Sequence, residues 1–353
     1  MAADSAPPTP RHTVALVLGA GGAPGWAWLV GVLAAIEEVT GWDPRRADLV
    51  IGTSAGSGVA ATLRAGLAAS DQLRQYRGDE LSDEGAALMA AADDRRERLA
   101  EADANRQALS DAMAGPRDTA EDARPGDRRP ASPAMALRSA LLRPGRPGLA
   151  MSGLVPRGRR DLHDLGRRLD SLHQDGWPRR PLWVTAVRIG DAARVVFGRD
   201  GHPPLSVGTA VQASCAQPGV FRPVALAGGE FVDGGTWSVT NADLAAGLGF
   251  ETVLVLAPLS AETGASGRSP AMIRRTYHRG VLARELDALR RNGSDVLSIE
   301  PSPADLAVLT HRRVDERRRR EAAERGRATA VARLVGDSEL AEAIARFDPT
   351  PSG

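Results

Sequence analysis

Lysine is absent from this chain of 353 residues, so all 45 of its basic residues are arginine. They face 44 acidic residues and leave a formal net charge of +1. No global attraction to a polyanion follows, and no nucleic-acid partner is expected. Without lysine there is also no Gly-Lys-Ser/Thr, which excludes a phosphate-binding P-loop. Together with abundant Ala, Gly and Pro, the all-arginine usage reads as a compositional bias. Cysteine is nearly missing too: Cys215 stands alone, so an intramolecular disulfide is excluded and a reducing, cytoplasmic setting is compatible. Cys215 itself reads as a small buried apolar residue. No charged side chain occurs from residue 13 to 36, a run long enough to suggest a membrane span or a signal sequence. Gly19, Gly21, Gly22, Pro24 and Gly25 break that run at its centre, and the leader before it carries Asp4. It divides instead into a strand, a glycine loop and a helix, the form that buried parallel strands take in an α/β protein. Membrane contact is expected only as transient adsorption at a surface.

What the chain does contain is organised around Asp48-Leu49-Val50-Ile51-Gly52-Thr53-Ser54-Ala55-Gly56-Ser57-Gly58. Leu49 to Ile51 has the content of a buried strand, and a small-residue helix pattern runs from about Ala55 to Ala69. A strand, a sharp Gly-Xaa-Ser-Xaa-Gly turn and a helix are the context of a nucleophile elbow. Gly52 and Gly56 suit the tight turn and the close helix–strand approach, and Ser54 projects near a helix N-terminus. The competing reading is an ordinary strand-to-helix turn with a capping serine. Upstream, Thr13 to Leu18 reads as a strand, followed by Gly19-Ala20-Gly21-Gly22-Ala23-Pro24-Gly25 and an apolar helix from about Trp26 to Val39. Such a loop points backbone N–H groups at an anion or oxyanion. A dinucleotide site fits poorly, because Pro24 stands where the third glycine belongs and no acidic residue ends the second strand.

Residues 1–11 look like a disordered leader. A domain is expected over 12–310, with a helical, partly mobile insertion at about 71–180 and a C-terminal helical extension over 311–353. Within the insertion, helices are expected near 84–114, 134–143 and 161–173, with a mobile loop from Gly115 to Ser132. Two readings of it stand side by side: a solvated insertion, or a lid over an apolar site. A hairpin follows at Leu182 to Ile189 and Ala193 to Phe197, then a helix from Leu205 to Cys215. Glu230-Phe231-Val232 reads as a strand running into Asp233-Gly234-Gly235. Next come a helix from about Asn241 to Leu248, a strand from Thr252 to Leu256 and a helix from about Met272 to Arg291. The last strand is Val296 to Ile299, and a final helix spans about 319–346 with Arg317 to Arg320 on its surface.

A serine hydroxyl needs a positioned base to act as a nucleophile. None of His12, His163, His173, His202, His278 and His311 follows a strand as a triad histidine does. Asp233 is better placed, since an acidic residue ending a strand lies at the sheet edge where α/β sites form. Its other reading is a plain Asp-Gly turn.

Taken together, the glycine loop, Gly-Thr-Ser-Ala-Gly and Asp-Gly-Gly, in that order and each after a strand, resemble the patatin-like phospholipase family. Ala210-Val211-Gln212-Ala213-Ser214-Cys215-Ala216-Gln217-Pro218-Gly219-Val220-Phe221 is similar to the family segment that precedes the aspartate. Trp26-Ala27-Trp28 through Val32-Leu33 resembles the first helix of bacterial, actinobacterial-type members. The resemblance covers residues 14–68 and 181–258 closely. It implies a three-layer αβα fold with a mainly parallel sheet and a serine acyl hydrolase acting on phospholipid or lysophospholipid esters. Ser54 would be the nucleophile and Asp233 the base. Gly21, Gly22 and Ala23 would form the oxyanion hole, with Gly19, Gly25, Gly52, Gly56, Gly234 and Gly235 as supporting motif glycines. No metal or organic cofactor is implied. Two positions depart from the family's Gly-Gly-Gly-Xaa-Arg/Lys-Gly loop: Ala20 replaces a glycine and Pro24 the basic residue. A Ser-His-Asp esterase and a non-catalytic acyl-lipid or membrane-binding protein are the alternatives to weigh.

Overall fold

The computed structural model describes residues 12–114, 131–143, 145–201, 205–262, 269–310 and 315–347; the side chains of 102–114 are not part of that description. The leader over 1–11, most of the loop expected over 115–132, His202 and His311 lie outside the described residues. Among these residues the chain forms eight strands and twelve helices. In order they are β1 (Val14–Leu18), α1 (Gly22–Thr40), β2 (Leu49–Thr53), α2 (Ala55–Arg64), α3 (Ala69–Arg77) and α4 (Asp83–Ala114). Then come α5 (Pro133–Leu142), α6 (Pro147–Leu154), α7 (His163–Leu172), β3 (Leu182–Arg188), β4 (Ala193–Phe197) and α8 (Val207–Cys215). The chain closes with β5 (Val224–Leu226), β6 (Gly229–Asp233), β7 (Thr252–Leu256), α9 (Pro270–Arg291), β8 (Asp295–Ile299), α10 (Pro303–Leu309), α11 (Glu316–Gly336) and α12 (Ser338–Ala345).

One sheet holds the strands in the order β5-β6-β3-β2-β1-β7-β8, with β4 also paired to β3. From β3 through β8 the pairs are parallel; β4, β5 and β6 join antiparallel. β1, β2 and β7 are buried along their whole length, which explains their unbroken apolar sequences. Their side chains alternate between two cores. Leu16, Leu18 and Val50 face α1, α2, α8 and α11, whereas Ala15, Val17 and Ile51 meet Leu282, Leu286 and Leu289 of α9. Helices on both faces of a mostly parallel sheet make the expected three-layer fold. Because β2 and β7 flank β1 on opposite sides, the chain leaves the β1 end in two directions, and the crevice there is a favoured place for a site.

Several elements differ from the sequence reading. The helix expected from Asn241 to Leu248 is only a 3₁₀ turn over Ala242–Ala245, entered through left-handed Asn241 and followed by left-handed Gly247. The pattern from Ala55 to Ala69 stops at Arg64, and the chain turns at Gly66, with φ of 109°, before α3. The last helix is interrupted at Asp337, whose carboxylate accepts from the Leu340 N–H at 3.0 Å and caps α12. Unforeseen are α6, which starts on Pro147, and α10, which is held by a capping box between Ser302 and Asp305.

α11 lies along α1 with unusually close backbones. A side chain at Gly31 would overlap the Ala323 carbonyl, and one at Gly326 would overlap the Trp28 carbonyl. Ala322, Ala323 and Ala330 are fully buried in the same seam. Two ion pairs flank it, Arg327 with Glu38 at 2.7 and 2.9 Å and Arg77 with Glu324 at 2.5 and 3.0 Å. Overpacking a seam this tight costs about 1–3 kcal/mol. Gly326→Val is therefore expected to lower the unfolding free energy by that amount in urea titration, while Ala328→Val on the exposed side of α11 stays within about 0.5 kcal/mol of the parent. Equal effects of the two would contradict the close packing.

Candidate active site

Strand register brings two distant segments together. Thr185 of β3 pairs with Thr53 of β2 on one side and Val196 of β4 on the other. The next residue, Ala186, pairs with Val195 of β4, so its remaining side is taken by Asp233 of β6. β2 and β6 therefore meet head-on along one flank of β3, and Ser54, the residue after β2, arrives beside Asp233.

Ser54 has φ of 50°, a left-handed conformation rare outside glycine. Such a residue costs about 1–3 kcal/mol and persists only where neighbours hold it. Here its N–H donates to the Ser214 hydroxyl at 2.8 Å, and its carbonyl accepts from the Ser57 hydroxyl at 2.6 Å. Gly56 is essential to the turn, because a side chain there would overlap the Leu18 carbonyl. The Ser54 side chain makes no capping bond to α2, which removes the reading as an ordinary helix cap. Its side chain instead lies beside the Asp233 carboxylate, close enough to favour that group's charged form.

Asp233 is 9% exposed, and burial pushes its pKa up to about 6. The Gly235 N–H, donating to its Oδ1 at 2.7 Å, and the Ser54 hydroxyl limit that rise by favouring the charged form. The plain Asp-Gly turn is present, since this Gly235 contact is one, but the carboxylate also faces Ser54. Cys215 packs against the apolar core, as expected, and also lines the same cavity within reach of Ser54 and Ser57. Burial and the neighbouring Asp233 push its thiol up to about 12, which keeps it a neutral S–H near pH 7.

Across from this pair lies the glycine loop. Gly19 and Ala20 spend their N–H groups on the Leu256 and Val239 carbonyls at 2.9 and 2.7 Å. Those of Gly21, Gly22 and Ala23 have no acceptor among the described residues and open the first turn of α1. Gly22 takes φ of 60° to make this turn. Pro24 is tolerated because it sits in that first turn, where an N–H has no helical partner.

A cavity of about 990 Å³ joins the loop, Ser54 and Asp233. Its walls are largely apolar, with Trp26 and Val30 of α1, Met89 of α4, Met151 of α6, and Leu165, Leu169 and Leu172 of α7. The insertion thus walls the site. Arg168, Arg274, His278 and Arg319 add polar positions to its lining.

No described histidine hydrogen-bonds Ser54 or Asp233. His173 bonds the Ala61 carbonyl at 3.0 Å, and His12 stacks on Phe347 and bonds Thr252 at 2.8 Å. His278 lines the cavity; burial and the adjacent Arg274 and Arg275 hold it down to about 4, so it is neutral near pH 7. Residues that sequence reasoning did not single out brace the site from below. Asn241 Nδ2 donates to the Ser238 carbonyl at 2.6 Å and the Thr53 hydroxyl at 3.1 Å, and Thr53 itself accepts from Thr185 at 2.9 Å. Glu285 anchors this layer by accepting from Thr240 at 2.6 Å and from the Ala242 N–H at 3.0 Å. Only the left-handed preference of an Asn after a Ser-Val-Thr run hinted at it.

Among the described residues no helix is long and apolar enough to cross a membrane. Residues 16–246 match the family described as patatin-like phospholipase, and the chain belongs to that family. Among solved structures it is similar to VipD from Legionella pneumophila, at 17% identity and a TM-score of 0.42, over 95% of this chain and 67% of that one. It is also similar to ExoU, solved in its heterodimeric complex with SpcU from the type III secretion system of Pseudomonas aeruginosa, at 18% identity and a TM-score of 0.34. That alignment covers 93% of this chain and 52% of the other. No curated protein sequence matches the chain.

The buried carboxyl has a consequence for stability. Asp233 titrates near 6 when folded against an ordinary 3.8, so the folded state holds its proton more tightly. Stability from this group is greatest below about pH 4 and falls as pH rises to about 6, by about 3 kcal/mol in all. Asp233→Asn is expected to be more stable than the parent at pH 8 and to lose that advantage at pH 4 in urea titrations. A variant less stable than the parent at pH 8 would contradict this environment for Asp233.

Proposed function

We propose that the protein is a lipid acyl hydrolase in which Ser54 and Asp233 form a catalytic dyad. The observation that carries this reading is the Ser54 hydroxyl, held on a strained turn, set beside a buried carboxylate and opening into a large cavity with mostly apolar walls. In the proposed cycle the Asp233 carboxylate takes the Ser54 proton as Oγ attacks the ester carbonyl carbon. The tetrahedral oxyanion is held by the N–H groups of Gly21, Gly22 and Ala23. On collapse the C–O bond of the ester breaks, and the proton passes from Asp233 to the departing alkoxide. A water then attacks the Ser54 acyl ester, again giving its proton to Asp233; on collapse the acyl C–Oγ bond breaks and Asp233 returns that proton to Ser54 Oγ, releasing the fatty acid. Each oxyanion donor is worth about a hundred- to thousand-fold in rate.

Burial supports the base role, because a general base works best when its pKa approaches the working pH. The apolar walls contributed by α1, α4 and α7 suit an acyl chain. Family membership supports a lipid ester, phospholipid or lysophospholipid, as substrate class.

Turnover of a lysophospholipid is expected to vanish in Ser54→Ala and to fall at least about a thousandfold in Asp233→Asn. Each of the six histidines, replaced in turn by alanine, should leave kcat within about tenfold of the parent. A histidine variant as inactive as Ser54→Ala would instead support a Ser-His-Asp site.

A further inference from the structure

The outer face of the α5–α6 hairpin is apolar and exposed. Leu137, Leu141 and Leu142 of α5 are 63%, 71% and 72% exposed, and Met151 and Leu154 of α6 are 59% and 52% exposed. The inner faces are already spent. Gly153 of α6 backs onto Ala136 of α5 too tightly for any side chain, and Met135 and Leu149 pack on Val187, Ile189 and Val232 of the sheet. The connection between the two helices is pinned as well: the Arg146 guanidinium donates to the Trp237 carbonyl at 2.7 Å and, like that of Arg143, lies over the Trp237 ring. The exposed leucines are therefore held outward by a fixed scaffold.

Two further observations say what covers this face. Met151 belongs both to the exposed face and to the wall of the cavity that holds Ser54, so the patch is continuous with the cavity mouth. A second exposed apolar pair, Ile273 and Tyr277, stands on α9 beside Arg274 and His278, which line the same cavity. Charge completes the pattern. Residues 131–160 contain six arginines and no acidic residue. Arg138 sits on α5 among the exposed leucines and has no ion pair among the described residues. The polar segment from Gly115 to Pro130 has no Leu, Ile, Val, Met or aromatic residue and is chemically unsuited to cover the leucines. Exposed leucines flanked by arginine are the signature of an element that lies in the headgroup region of an anionic bilayer.

We infer that the α5–α6 face, with Leu137, Leu141, Leu142 and Leu154 as anchors and Arg138 as headgroup contact, docks the protein on an anionic lipid surface and presents the cavity mouth to it. The inference rests on the lipid-hydrolase reading of Ser54 for its purpose. Its test does not, because binding is measured without turnover.

The full chain carrying Ser54→Ala is sedimented with vesicles of phosphatidylcholine, with and without phosphatidylglycerol. Binding to the mixed vesicles is expected, and the added changes Leu141→Asp and Leu142→Asp together should lower the partition coefficient at least about tenfold. Arg138→Glu should remove most of the preference for phosphatidylglycerol, while Val335→Asp, an exposed apolar site on α11, should leave binding unchanged. With Ser54 intact, the leucine variant should hydrolyse a short soluble ester like the parent, since neither leucine lines the cavity. Loss of that soluble activity in the parent itself would count against the function proposed above, not against docking. Vesicle binding unaffected by the leucine changes, or weakened equally by Val335→Asp, would overturn the inference. So would a dimer in sedimentation velocity that the leucine changes dissociate, with no vesicle binding by the parent.

Discussion

A carboxylate removed from water beside a serine hydroxyl is the constraint around which this structure is arranged. Placing Asp233 in a buried position penalises its charge and raises its pKa to about 6. Such a penalty survives only if the fold leaves the group no alternative. Here the register of β3 supplies that compulsion, because Thr53 and Asp233 pair with consecutive residues on the same flank. The positive φ of Ser54 is a second local cost, held by Ser214, Ser57 and the glycine turn. Backbone strain at Ser54 and desolvation at the Asp233 carboxylate thus fall on neighbouring residues, a pattern that clusters at functional sites.

The surrounding elements divide the remaining work. Below the pair, Asn241, Thr53, Thr185 and Thr240 form a buried polar layer closed by Glu285. Above it, the insertion contributes the apolar wall through Met89, Met151 and the α7 leucines. Beside it, the free N–H groups of Gly21, Gly22 and Ala23 have no competing acceptor among the described residues. The two departures in the loop leave these donors in place. Ala20 is buried and its N–H is used by Val239, whereas Pro24 falls in a helix turn that needs no N–H. Arg274 and His278 of α9 line the cavity from a different element than the one that carries the family's basic residue.

Much of this was legible in the chain because the strongest signals are local. The all-apolar strands, the Gly-Thr-Ser-Ala-Gly turn and the Asp-Gly-Gly turn each rest on backbone requirements that nearby residues satisfy. The readings of Ser54 and Asp233 rest on such turns, and the strand register brings the two residues side by side. Signals that depend on tertiary partners were lost. The stretch from Asn241 to Leu248 has helical composition, yet Asn241 turns left-handed to serve the layer beneath the site and Arg194 draws Asp243 into an ion pair at 2.7 Å. Cys215 does pack against the core, but nothing in its own segment announces Asp233, 18 residues ahead in the numbering, as a neighbour. The outward exposure of the α5 leucines was not legible either, because it depends on Met135 and Ala136 occupying the inner face.

The claim on which the functional account turns is that the Asp233 carboxylate itself takes the Ser54 proton. It is tested most directly by the rate at which a fluorophosphonate modifies Ser54 as a function of pH, with the modified residue located by peptide mass spectrometry. The account predicts a rate that rises with pH through an apparent pKa near 6, the value set by burial of Asp233, and a slow, pH-independent rate in Asp233→Asn. A parent rate flat from pH 5 to 8, or an Asp233→Asn variant that reacts as fast as the parent, would contradict it.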